Sequence, residues 1–235
     1  MIRQLLKKRR KWILIDIDTQ RDFFIPGQNT CIRNHRRVLA NVRRMMAWAR
    51  HNGIRIISIC EVHTDANYDY GEVERRATGT DGRKKIRYTL LNNRMSFAAE
   101  GSTDLPEDIL QRYGQIILHK RCVDPFDEPR IERLLSEVRA DNFVLIGAGA
   151  EDAVKATALG LLQRRRKVHI VVDAVGSFDR QKAELALRKV SAKGAKLIET
   201  KKLAGTSHLR TVGICNCEVC QERTKETSLK IAAGH

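Results

Sequence analysis

Three short stretches of this 235-residue chain place ionisable side chains at the ends of apolar runs. "WILIDIDTQRDFF" ends its run on Asp16 and Asp18, "IISICEVH" on Glu61 and His63, and "QIILHK" on Lys120. If these runs are neighbouring parallel strands, the carboxylates and the ammonium face one another beyond the carboxyl ends of a sheet, where open α/β sheets bind their ligands. Burial raises a carboxyl pKa and a nearby ammonium lowers it, so their balance decides whether Asp18 carries a proton near neutrality and serves as acid or base. The alternative for the same residues is a structural ion pair on the rim.

A fourth stretch, "GAGAEDAVKATA" from Gly147 to Ala158, stands where an α/β enzyme most often presents a nucleophile: after a buried strand, across a glycine turn, at the mouth of a helix. It holds no Ser, Cys or His, and Thr157 lies a turn too deep in the helix to attack a ligand. The helix mouth, with the backbone N–H groups of Asp152 and Ala153, offers a place for an oxyanion or carboxylate. Glu151 and Asp152 oppose an anionic substrate there unless they point away.

The elements that must position these groups are legible from periodicity. "WILIDID" is too apolar for an exposed edge and reads as a buried parallel strand. Val38, Leu39, Val42, Met45, Met46 and Ala49 recur at helical spacing up to a C-cap at Gly53, and "IRIISICEV" follows as a strand. Residues 64–100 are polar and irregular and are expected to form a long excursion near the site rather than core. Then helix "LPEDILQRYG", strand "QIILHK", helix "EPRIERLLSEVRA", strand "NFVLIGAG", helix "EDAVKATALGLLQRRR", strand "KVHIVVDAV", helix "QKAELALRKVSAKG" and strand "KLIET" alternate. The pattern predicts a three-layer, doubly wound, mostly parallel six-stranded α/β sheet with right-handed crossovers. The expected organisation is a basic tail over 1–11, one domain over 12–205 and a cysteine-containing tail over 206–235.

Four motifs in order resemble the isochorismatase-like hydrolases, a family that includes nicotinamidases and other cysteine amidohydrolases. Asp18-Thr-Gln20-Arg-Asp22-Phe23 is similar to the family's D-x-Q-x-D-F. "ILHKRCVDPF" resembles its strand-three lysine with an aromatic six residues on, here Lys120 and Phe126. "VLIGAGAEDAVKATALGLL" resembles the strand-turn-helix that holds the nucleophile, and "VVDAVGSFD" with the later "LIET" its last two strands. The resemblance runs from Trp12 to Leu203 and implies a Rossmann-like hydrolase with Asp18 as base, Lys120 supporting the charges, and Gln20, Phe23 and Phe126 near the ligand. The family's cysteine falls on Ala153, whose methyl group forms no acyl intermediate.

Three readings of Ala153 stand open. In the first, the protein hydrolyses a small molecule without a nucleophile, as the resemblance implies for the isochorismatases proper. Those carry a glycine at this position, and their aspartate acts as general acid on a vinyl ether. In the second, it is a pseudoenzyme kept for binding or assembly, its basic segments recruiting an anionic partner such as RNA. In the third, the alanine replaces a natural cysteine and traps a substrate. Cys122, two residues past Lys120, is the only other thiol near the expected crevice.

Glu61-Val-His63 resembles the D-x-H that opens the metal site of nicotinamidases, with Asp65 or Asp69 as further oxygen donors. In the tail, Cys215, Cys217 and Cys220, with His208 or Cys122 as a fourth ligand, could bind tetrahedral Zn²⁺. No cofactor is required by the core chemistry. Lys and Arg number 44 against 28 Asp and Glu, a net charge of +16 that invites anionic partners, while 5% aromatic content argues against a stacking single-strand binder. Neither a secretory signal nor a membrane-length apolar run is visible, so the expectation is a cytoplasmic homo-oligomer with reduced thiols and no membrane partner.

Overall fold

The computed structural model describes residues 11–26, 31–62 and 79–205. In chain order the elements are β1 (Trp12–Ile17), α1 (Arg21–Phe24), α2 (His35–His51), β2 (Arg55–Glu61), α3 (Gly79–Gly82), β3 (Arg94–Phe97), α4 (Ile109–Arg112) and β4 (Gln115–Lys120). There follow α5 (Pro129–Glu137), β5 (Asn142–Gly147), α6 (Ala153–Gln163), β6 (Lys167–Val175), α7 (Arg180–Ala192), β7 (Lys196–Ile198) and α8 (Thr200–Ala204). The strands form one seven-stranded parallel sheet in the order β3-β4-β2-β1-β5-β6-β7. The doubly wound sheet is as the periodicity predicts, with one strand more than the six expected.

Alternation along the strands sorts the core into two layers. Ile13, Ile15 and Ile17 of β1 join Ile57 and Ile59 of β2 against α5, α6 and α7, where Leu134, Val154 and Val190 are buried. Leu14 and Ile56 point the other way, onto Val38, Val42, Met45 and Met46 of α2. The helical stripe expected from 38 to 49 is buried in full. The central strands β1 and β5 carry almost no exposed residue, as a sheet covered on both faces requires.

Two expectations need correction. The excursion over 64–100 is not outside the core where it is described: β3 adds a sheet edge on β4, Thr89 is fully buried, and the Lys85 side chain is only 5% exposed. Lys85 reaches into the α2 layer and pairs with the buried Asp16 at 2.5 Å, and the same ammonium donates to Thr19 Oγ1. Ser58 and Gln115 continue this polar chain to the backbone of Thr89. The segment looks unstructured as sequence because one buried lysine and several polar side chains, rather than apolar periodicity, hold it down. The helix expected at "LPEDILQRYG" shrinks to the single turn of α4, because only Ile109 is buried and the chain must reverse at Gly114 to enter β4.

A candidate active site at the carboxyl end of the sheet

β1 and β5 are bonded neighbours, and at their carboxyl ends the backbones nearly touch. Gly147 takes φ +127°, and a Cβ built there would lie 1.8 Å from the Ile17 carbonyl oxygen. Only glycine permits this approach, which also lets Ala148 N–H donate to Ile17 O at 2.9 Å. Gly149, at φ +75°, then turns the chain into α6, and its carbonyl accepts from the N–H groups of Asp152 and Val154 at 3.0 Å.

Asp18 lies directly across this turn. In an extended strand, residues 16 and 18 share a face, so Asp18 should follow Asp16 toward α2. Instead Asp18 adopts φ +48°, the left-handed region that Asp and Asn tolerate better than other side-chain-bearing residues, and its N–H is held by Ile59 O at 2.8 Å. The turn throws its carboxylate to the opposite face, where Lys120 and Glu61 stand as paired residues at the ends of β4 and β2. Lys120 Nζ lies 3.1 Å from Asp18 Oδ2 and 3.4 Å from Glu61 Oε2, and its side chain is wholly buried. Burial, and secondarily the Glu61 charge, pushes the Asp18 carboxyl up to about 6 although Lys120 pulls it down. Asp18 Oδ1 has no hydrogen-bond partner among the described residues.

These groups line a small cleft together with Phe23, Val123, Ala148, Gly149, Asp152, Ala153 and Phe178. Its free space is about 10 Å³, the room one water needs. Phe23 and Phe178 meet edge to face with ring centroids 5.8 Å apart. Glu151 is turned away from the cleft: its Oε1 accepts from the Phe178 and Asp179 N–H groups at 2.8 and 2.7 Å. Of the two carboxylates expected to oppose an anion, one is thus used to hold the Phe178 loop.

Asp18, Lys120, Ala153, Asp152 and Phe23 therefore meet, and Ala153, itself 4% exposed, opens α6. Several expected roles change. The Gln20 amide is consumed by backbone: it donates to Glu61 O and Arg83 O and accepts from Glu61 N–H, each at 2.8 Å, so it splices β1, β2 and the 83–89 loop rather than facing a ligand. Phe126 sits under Arg164, 4.0 Å from ring to guanidinium, and over Gly160, while Val123 takes its place at the cleft. The Asp152 N–H is bonded to Gly149 O and cannot serve an oxyanion, which leaves Ala153 at the first turn. Thr157 Oγ1 donates to Ala153 O at 2.6 Å, inside the helix. None of the cysteines Cys31, Cys60 and Cys122 lines the cleft.

Glu61, considered above as a metal ligand, instead faces the Lys120 ammonium at 3.4 Å. Among the described residues there is no cluster of three or more His, Cys, Asp or Glu suited to a metal. His63, Asp65, Asp69, His208, Cys215, Cys217 and Cys220 lie outside the described residues. Among the described residues no helix is long and apolar enough to cross a membrane.

The Lys120–Glu61 pair is as the adjacent strand ends suggest. Sequence reasoning missed two features of this site, Phe178 as roof and Val123 as wall. Both depend on loop conformation, for which the sequence offers no signal.

The fold is shared with solved structures of low sequence identity. A zinc complex of the pyrazinamidase of Pyrococcus horikoshii is 22% identical, with a TM-score of 0.63 over 80% of this chain and 99% of its own. An isochorismatase family protein from Desulfovibrio vulgaris is 20% identical, with a TM-score of 0.64 over 83% and 96%. The MAR1 ribonuclease from Caenorhabditis elegans is 20% identical, with a TM-score of 0.56 over 94% and 88%. No curated protein sequence matches the chain significantly. The profile of the isochorismatase domain matches residues 12–202, a span that takes in every residue of the cleft, and the chain belongs to the isochorismatase domain family.

Proposed function

We propose that the protein hydrolyses a small molecule by general acid–base catalysis at Asp18, without a covalent enzyme intermediate. The observation that supports this most is Asp18 itself: a buried carboxyl pushed up to about 6, one oxygen held by Lys120 and the other unpartnered beside the methyl group of Ala153. Such a group is half protonated near pH 6 and still partly protonated at neutrality, the condition under which an acid and its conjugate base are both available. In the step envisaged, Asp18 gives its proton to the leaving atom as the carbon–heteroatom bond breaks. A water oxygen bonds to that carbon, and its proton returns to the carboxylate. The Lys120 ammonium stabilises the Asp18 carboxylate left when the proton is given, and the Glu61 charge limits that stabilisation so that the proton can return. The Ala153 methyl leaves room for substrate where a thiol would attack.

The test is a screen of purified protein against small amides, carbamoyl compounds and vinyl ethers, read by mass spectrometry of the products. Hydrolysis is expected to lose at least a hundredfold in rate in Asp18→Asn, with no mass adduct on the enzyme during turnover. Activity that survives Asp18→Asn overturns the reading.

A second reading, a non-catalytic role in binding an anionic partner such as RNA, is favoured by the net charge of +16. One neighbour in fold is described as a ribonuclease. On this reading a fluorescently labelled RNA binds with an affinity that falls steeply with salt and is lost on deleting residues 1–11, while Asp18→Asn leaves it unchanged. Both readings place the protein in the cytoplasm as a homo-oligomer.

A further inference from the structure

On the α2 side of the sheet, away from the Asp18 cleft, a second cavity of about 1020 Å³ opens among α2, the ends of β2 and β4, and the loop from Arg83 to Leu90. Its charge is the reverse of the cleft's. Among the described residues the lining includes Arg21, Arg43, Arg83, Lys84, Lys85 and Arg87 and not one carboxylate. Arg21 and Lys84 share Asp81 at 3.2 Å on the rim, and Lys85 is committed to Asp16 below the floor. Arg43, Arg83 and Arg87 have no carboxylate partner among the described residues, and Arg83 Nε is buried without a hydrogen bond. Between the cations the wall is apolar, built by Phe24, Leu39, Ile86, Tyr88 and Ile117.

We propose that this cavity binds a small organic anion, an apolar or aromatic body that carries a phosphate or carboxylate. Guanidinium groups match these oxyanions by paired hydrogen bonds. Three arginines without counter-charge around one concavity repel one another, and an anion converts that repulsion into attraction. The apolar wall between them needs a body to cover it, which inorganic phosphate lacks. The volume is that of a small-ligand pocket at the upper end of the usual range. The Asp18 cleft is no competitor for such a ligand, because its lysine already faces two carboxylates and Asp152 adds a third acidic side chain.

Titration calorimetry on the full chain tests the assignment with three probes: phenyl phosphate, octanoate and inorganic phosphate. At least one organic probe is expected to bind at least tenfold more tightly than inorganic phosphate, and the stronger of the two identifies the preferred head group. Arg83→Ala/Arg87→Ala should weaken that binding at least tenfold, Arg43→Ala on the separate element α2 should also weaken it, and Asp18→Asn should leave it unchanged. Circular dichroism and melting of each variant show whether it is folded. The proposal is overturned if neither organic probe binds at millimolar concentration, or if binding persists in the folded arginine variants. Loss of binding in Asp18→Asn, which would place the anion in the cleft, overturns it too. So does a changed subunit count in native mass spectrometry of the arginine variants with no change in probe affinity, which would make this face a contact between copies of the chain.

Discussion

Asp18→Asn separates the carboxyl's chemistry from its place in the fold, because asparagine fills the same volume and accepts the same left-handed backbone. In the wild-type protein, folding lifts this carboxyl from an ordinary 3.8 to about 6, chiefly by burial. The direction is the reverse of that for a salt-bridged surface aspartate. Between those two pH values the folded chain holds a proton that the unfolded chain has released, so stability falls as pH rises through the window. The full effect is worth about 3 kcal/mol, present below pH 3.8 and lost above about 6. Urea unfolding of both proteins at intervals from pH 4 to 8 measures it. Other titrating groups contribute nearly equally to both, so the difference between the curves isolates residue 18. Wild-type stability should fall relative to Asp18→Asn by about 2 kcal/mol between pH 4 and pH 7, and any hydrolytic rate that needs the protonated acid should fall over the upper part of the same range. Parallel curves would refute the reasoning, since they would mean that Asp18 titrates alike folded and unfolded, and its role as a near-neutral acid would go with it.

Other perturbations reach the remaining parts of the structure. Gly147→Ala puts a methyl group 1.8 Å from the Ile17 carbonyl at a backbone angle hostile to side chains. It should cost more than about 4 kcal/mol and show as loss of soluble protein or a collapsed melting temperature. Lys85→Met leaves the Asp16 carboxylate buried without its ammonium, at a cost of about 3–5 kcal/mol in urea unfolding. The double variant Asp16→Leu/Lys85→Met should recover much of that, and a double variant as unstable as the sum of the singles would show that the two groups do not interact. Ala153→Cys places a thiol opposite Asp18 and Lys120. It should bring amidase activity and a trappable acyl adduct detectable by mass spectrometry, and an inert, unlabelled thiol would show that the cleft no longer accommodates a substrate.

The fold was legible because its core obeys simple periods. Six apolar runs in alternation with helical patterns gave six of the seven strands, and the 3.6-residue stripe from Val38 to Ala49 gave α2. The strand that escaped, Arg94–Phe97, alternates exposed and half-buried residues at a sheet edge and so lacks the apolar run that marks its neighbours. The site was legible as far as strand ends could be counted: Asp18, Lys120 and Ala153 meet at the carboxyl ends of their strands, although Asp18 gets there through a left-handed turn that alternation does not foretell. What could not be read were side chains whose partners are set by loops. Gln20 looked like a ligand contact but is absorbed by the backbone at Glu61 and Arg83. Glu151 looked like an obstacle to an anion but is hydrogen-bonded to the loop after β6. Each outcome depends on a main-chain amide or carbonyl, and those groups are the same in every residue.

The left-handed backbone at Asp18 also restricts which amino acids evolution can try there. Glycine, asparagine and aspartate occupy that conformation with little strain, whereas glutamate, otherwise the nearest chemical substitute, does not share the tolerance. A lineage that keeps this turn thus chooses among an acid, its amide and no side chain at all. On the proposed mechanism, a switch between active and silent forms therefore lies one conservative substitution away, with the turn itself left unchanged.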